Sequence, residues 1–183
     1  MNFATATITT FLISCCLHAQ AAKTDVTAIL RGRVVQVDDG DTVVVLQPGA
    51  GRTVVRLTDI DAPEVRHGKS RPGQPFGQTA KRKLESLVLG RPVQAECFDQ
   101  TTYDRQVCRI RVDGLDAGAQ LVELGLAWVP DQSRYVRDGS VHGLQAQARR
   151  ARVGVWSQVQ PVAPWVWRKQ CWASKQCVGE TDE

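Results

Sequence analysis

Between residues 31 and 59 three β-branched runs follow one another with only short turn signals between them. They are RGRVVQV from Arg31 to Val37, DTVVVLQ from Asp41 to Gln47, and RTVVRLTD from Arg52 to Asp59. Asp38-Asp39-Gly40 separates the first two, and Pro48-Gly-Ala-Gly51 the next two. Alternating β-branched residues favour strands, and Asp-Gly and Pro-Gly pairs reverse the chain. Turns this short join the strands into a meander. Phe76, Ala80, Leu84, Leu87 and Val88 then fall at helical spacing, with Gly90 to end the helix. PVQAECF, Pro92 to Phe98, and QVCRIRV, Gln106 to Val112, read as two further strands. A second helix runs from Asp116, as N-cap, to Gly125. A third starts near Ser140, places Leu144, Ala148 and Ala151 on one face, and stops at Gly154. The order βββ-α-ββ-α-α makes an α+β domain, expected as a small five-stranded closed barrel with three packed helices. Barrels of this size commonly bind oligonucleotides. With 183 residues the chain suits one such domain with short extensions.

The first 22 residues carry no charged side chain. FLISCCL, Phe11 to Leu17, is apolar but too short to span a bilayer, and Ala19-Gln20-Ala21 has the form of a signal-peptidase site. Residues 1–21 are therefore expected to be a signal peptide, although no Lys or Arg precedes the apolar core. The alternative is a lipoprotein anchored at Cys15, since Leu12-Ile13-Ser14-Cys15 resembles a lipoprotein box. Removing the signal leaves Cys97, Cys108, Cys171 and Cys177, an even number suited to an oxidising compartment. Cys97 and Cys108 lie on adjacent strands and Cys171 and Cys177 close a short loop, so the expected pairs are 97–108 and 171–177. The expected layout is a domain over 22–157 and a Trp- and Cys-bearing extension over 158–183, read as a disulfide-pinned strap in preference to a separate binding module.

RLTDIDAPE, Arg56 to Glu64, sets one arginine and three carboxylates at the end of the third strand. Alternation turns Val55 and Leu57 one way and Arg56 and Thr58 the other. Pro63 keeps Ala62 extended, so its carbonyl is free to face outward. The acidic turn of Asp38, Asp39 and Asp41 lies one strand back. Carboxylates with a carbonyl are the oxygen donors that Ca2+ takes, and guanidinium forks on Arg56 and Arg105 match phosphate oxygens. Solvated surface acids would look the same from spacing alone.

VDDGDTVVVL, VVRLTDIDAPE, YDR, GAQLVELGLAWV and ARRARVGVW, in that order from Arg33 to Trp156, resemble the staphylococcal nuclease family. The resemblance implies an OB-fold and Ca2+-dependent cleavage of DNA and RNA phosphodiesters. It also implies roles. Asp41 and Asp61 match metal aspartates, and Ala62 stands where a carbonyl meets the ion. Glu64 matches a glutamate acting on the attacking water. Arg56 and Arg105 match phosphate-binding arginines, and Tyr103 a tyrosine beside the substrate phosphate.

Two positions depart from the family pattern. Asp104 replaces a glycine before Arg105, which adds negative charge there, and Pro130 and Asp131 follow Val129 where an aromatic is usual, with Tyr135 as a substitute. His67 and His142 are expected at the surface, and Lys81-Arg82-Lys83 is expected to be a solvated helix face, with nucleic-acid contact as the alternative. The excess of 23 Lys and Arg over 19 Asp and Glu gives +4, which permits a polyanionic partner. No C-x2-C pair or cluster of His suggests zinc. The function expected is an exported, monomeric nuclease. A non-catalytic nucleic-acid-binding barrel is the alternative, but it has no need of Glu64 or of paired metal aspartates. A cell-surface structural protein would leave the acids unexplained.

Overall fold

The computed structural model describes residues 26–102 and 104–177. The expected signal peptide, the lipidation alternative at Cys15, and Tyr103 lie outside the described residues.

Among the described residues, six strands and four helices follow one another. The meander is β1 (Val26–Val37), β2 (Thr42–Gln47) and β3 (Gly51–Leu57). Helix α1 (Gly77–Val88) leads to β4 (Pro92–Thr102), β5 (Arg105–Val112) and the two-residue β6 (Leu115–Asp116). Then come α2 (Ala117–Glu123), α3 (Val141–Ala151) and α4 (Pro164–Trp167), which runs into a π-helical turn over Arg168–Ala173. The sheet order is β3-β2-β1-β4-β5-β6, and β3 also pairs with β5 in parallel, through Val55–Gln106, Arg56–Val107 and Leu57–Cys108. The pairings of β1 to β5 therefore close into a ring. Strand β1 serves two neighbours at once: Val34 pairs with Val45, and Arg31 and Gly32 with Gln94 and Val93.

The ring encloses Val34, Val43, Val45, Val55 and Ile110, each fully buried. Leu84 and Val88 of α1, with Leu121 and Val122 of α2, seal it from outside. These are the positions at which the alternating and helical patterns place apolar side chains. Asp116 caps α2 as expected, its carboxylate accepting from the Ala119 N–H at 3.1 Å. A second apolar cluster holds Trp128, Ala148, Val155, Trp156 and Ala163 beside the first.

Several features differ from the sequence reading, and the first strand begins at Val26 where Arg31 was expected. Strand β4 continues past Phe98 to Thr102, because β5 keeps pairing with it through Thr101–Gln106 and Thr102–Arg105. The additional strand β6 is a short return after Gly114. The fourth helix sits in the C-terminal extension, where Pro164 at its first turn has the backbone angle a helix start requires. Both expected disulfides are formed, Cys97–Cys108 between paired positions of β4 and β5, and Cys171–Cys177 in the extension.

Candidate active site

The acidic turn and the end of β3 meet because two glycines permit it. A Cβ on Gly40 would lie 2.6 Å from the Ala62 Cβ, so only glycine lets the Asp38–Asp41 turn rest against Ala62. A Cβ on Gly77 would lie 2.1 Å from the Glu64 carbonyl oxygen, so only glycine lets α1 begin against the loop that carries Glu64. The Asp41 carbonyl accepts from the Leu57 N–H at 2.8 Å, which fixes the turn to β3. Asp61 exchanges two backbone hydrogen bonds with Trp128, at 2.8 and 2.9 Å, which anchors the other side.

Side chains converge inside this frame. Asp41 and Asp61 are both buried. Arg56 pairs with both, through Nη1 to Asp41 Oδ2 and through Nη2 to Asp61 Oδ1 at 2.9 Å. Asp41 Oδ2 also accepts from the Ala62 N–H at 2.8 Å. Arg105 donates through Nη1 to Thr42 Oγ1 at 3.2 Å, and Thr42 Oγ1 lies 3.1 Å from Asp41 Oδ1. Asp41, Arg56, Asp61, Ala62, Glu64 and Arg105 all line one open cavity of about 1450 Å³.

The charges there are unevenly matched. Burial raises Asp41 well above the ordinary carboxylate range, against the pull of Arg56, and Asp39 and Asp61 raise it further. Burial likewise pushes Glu64 up to about 7, against its hydrogen bond from Arg168. Burial is thus the first cause of both shifts, and it acts against the charge on each acid. Among the described residues, no three His, Cys, Asp or Glu side chains form a group placed to hold a metal ion by themselves. The donor set available to a cation is two aspartates with backbone and solvent oxygens, all hard donors of the kind Ca2+ takes.

Of the three acids in RLTDIDAPE, Asp59 goes elsewhere. Its backbone takes a φ of 68°, which breaks the strand's alternation. Its carboxylate accepts from Arg109 Nη2 at 2.9 Å and from the backbone N–H groups of Arg137 and Asp138. Arg109 is 5% exposed and also meets Asp116 at 3.1 Å, so this is a buried structural network.

Asp104 stands at φ 61°, in the left-handed region that favours glycine, and is exposed. His142 is exposed as expected. His67 is exposed too, yet its ring meets Trp172 edge-on at 5.9 Å and it lines the cavity with Lys81. Tyr135 reaches the same cavity, with Arg134 over its ring.

Sequence reasoning missed Arg168, Trp165 and Trp172, which the extension brings to the cavity. Arg168 donates through Nη2 to Asp61 Oδ2 at 2.7 Å, through Nη1 to Asp61 Oδ1 at 3.1 Å, and to Glu64 Oε1. The tryptophans and nearby cysteines in WVWRKQCW marked a packed tail; nothing in the string aimed Arg168 at an acid 107 residues away.

The profile of the staphylococcal nuclease homologue family matches residues 54–158. An uncharacterized endonuclease of Escherichia coli O157:H7 is 36% identical over 142 residues, spanning 77% of this chain and 86% of that protein. A micrococcal nuclease of Shigella flexneri is 33% identical over 152 residues, spanning 78% of this chain and 82% of its own length. A staphylococcal-like nuclease of Arabidopsis thaliana is 30% identical over 115 residues, spanning 63% of this chain and 33% of that protein.

Proposed function

Because the chain belongs to the staphylococcal nuclease family, we propose that it is an exported, monomeric, Ca2+-dependent endonuclease hydrolysing phosphodiester bonds of DNA and RNA. The closed ring of β1 to β5 supports reading the domain as the family's OB-fold barrel. The observation that carries the functional reading is the convergence of Asp41, Arg56, Asp61, Glu64 and Arg105 on one cavity.

Asp41 and Asp61, with the Ala62 carbonyl, are the residues to hold the cation. When bound, Ca2+ lowers the repulsion between an anionic diester and its nucleophile. Glu64 accepts a proton from the attacking water or holds it in line. Burial suits it to that task, since a carboxylate raised toward neutrality accepts and returns a proton near physiological pH. Arg56 and Arg105 stabilise the charge that builds on the phosphoryl oxygens. Thr42 ties Arg105 to Asp41, so the phosphate-facing and cation-facing ends keep one register. Tyr103 is assigned beside the substrate phosphate on the family resemblance alone.

Asp104 points to solvent, so its charge bears on the site less than the sequence position suggests. Trp165, Trp172 and Tyr135 offer ring surface to unpaired bases beside the reacting phosphate. Those rings would equally serve a non-catalytic nucleic-acid-binding barrel, but such a module has no use for a half-buried Glu64 facing the cavity. Export is supported by the two disulfides, by the apolar run at Phe11 to Leu17, and by the Ala19-Gln20-Ala21 cleavage form. The N-terminus is proposed to be cleaved, leaving the domain over 22–157 and the extension over 158–183, with lipidation at Cys15 as the other processing route.

Digestion of single-stranded DNA by the wild type and by Glu64→Gln tests the reading. The variant should bind the strand and cut it at least about 10²-fold more slowly. Equal rates would leave a nuclease without this base, or a contaminant; binding with no cutting by either protein would favour the non-catalytic module.

A further inference from the structure

A guanidinium from outside the family match reaches the middle of the site. The match ends at residue 158, and Arg168 lies beyond it on the C-terminal strap. Arg168 engages both oxygens of Asp61 and one of Glu64. Arg56 also holds Asp61 Oδ1, so Asp61 has two arginines on it. The strap is firmly seated. Trp167 is 2% exposed, the indole N–H groups of Trp167 and Trp172 both donate to the Pro72 carbonyl, and Gln74 donates to the Val162 carbonyl. The Cys171–Cys177 disulfide closes the segment that follows Arg168. A fork held this way on a carboxylate is a positioned group.

We propose that Arg168 is a built-in competitor for the divalent cation at Asp61, occupying the carboxylate oxygens that the cation takes and giving them up when it binds. The inference rests on the reading of Asp41 and Asp61 as cation ligands. A cation ligated by Asp61 needs one of its oxygens at about 2.3–2.6 Å. Arg168 Nη2 lies 2.7 Å from Oδ2 and Nη1 3.1 Å from Oδ1, so a cation on either oxygen would sit beside the guanidinium charge. Two positive groups on one buried carboxylate also repel each other. Each therefore weakens the other's hold, and by linkage the factor is the same in both directions. Released from Asp61, Arg168 keeps its contact with Glu64, which involves a separate carboxylate. The Arg168 side chain then couples cation level to the state of the site, on Asp61 when the cation is scarce and off it when the cation is abundant, while the strap stays seated.

Calorimetric titration of CaCl2 into the metal-free mature protein tests this without any activity measurement. The proteins are wild type, Arg168→Gln, and Lys169→Gln as a control that removes the same charge from an exposed neighbour. Arg168→Gln should bind Ca2+ at least about fivefold more tightly, the low end of ordinary coupling between sites. Lys169→Gln should match the wild type. Arg168→Lys keeps the charge but loses the fork, and should fall between; it also serves if the glutamine variant does not fold, as judged by circular dichroism. Equal affinities for wild type, Arg168→Gln and Arg168→Lys would overturn the competition and leave the cation site standing. Equal tightening by Lys169→Gln would overturn it too, as general electrostatics. No binding to any of them would remove the cation reading itself, and this inference with it.

Discussion

Asp59 and Asp61 stand two residues apart and face different partners. Asp59 is committed to Arg109 and to two backbone N–H groups, all away from Asp41 and Asp61, the proposed cation-facing acids. Removing one member of a buried ion pair leaves the other uncompensated, so Asp59→Ala should cost about 3–5 kcal/mol of stability, read by urea unfolding. Arg56→Ala and Arg105→Ala should instead lose at least about 10²-fold in cleavage rate while remaining folded by circular dichroism. Wild-type rates in either arginine variant would show that the family assignment fails at that position. Spacing alone could not separate the two aspartates, although the family resemblance singled out Asp61. Strand alternation puts both on one face, and only the left-handed turn at Asp59 breaks that register. Arg56, by contrast, was readable, because alternation sends Val55 and Leu57 to the core and leaves Arg56 facing the cavity.

The elements were readable wherever a local period or a cap decided them. The meander, α1, α2 and α3 follow from residue spacing, and Asp116 caps α2 as its position suggests. The extension was readable only as a packed tail, because its contacts with Pro72, Gln74 and Asp61 are long-range and leave no periodic trace. Two element-level expectations follow. Cys97 and Cys108 join β4 to β5 at the base of the loop that leads into Arg105. Replacing both with alanine should cost roughly 2–3 kcal/mol for a loop of this length, and should lower activity as well; a stability loss with full activity would show that the bridge does not position Arg105. At the entry to α3, Asp138 accepts from the Ser140 N–H at 2.9 Å, and the hydrogen bonds from Ser140 hold its carboxyl below the usual range. A lowered folded-state value means that the charged form adds stability above the ordinary carboxylate range and loses it as pH falls. Asp138→Asn should therefore be less stable than wild type at neutral pH, by under about 1 kcal/mol, with the gap closing in acid.

At the scale of the molecule, one cavity is acidic where it would hold a cation and basic where it would meet phosphate, on a chain whose net charge is only +4. The arrangement needs both halves of the fold: the meander supplies Asp41 and Arg56, β5 supplies Arg105, and the strap closes the far side with Arg168. Stability and chemistry are drawn from different places, the Val-rich ring for the first and the loops at its mouth for the second. These acids are proposed to serve a Ca2+-dependent cleavage. The most direct test is digestion of single-stranded DNA by the mature protein in Ca2+, then in excess chelator, then with Ca2+ restored. Cutting, its loss, and its return are the expected sequence; undiminished cutting in chelator would rule out the Ca2+ assignment.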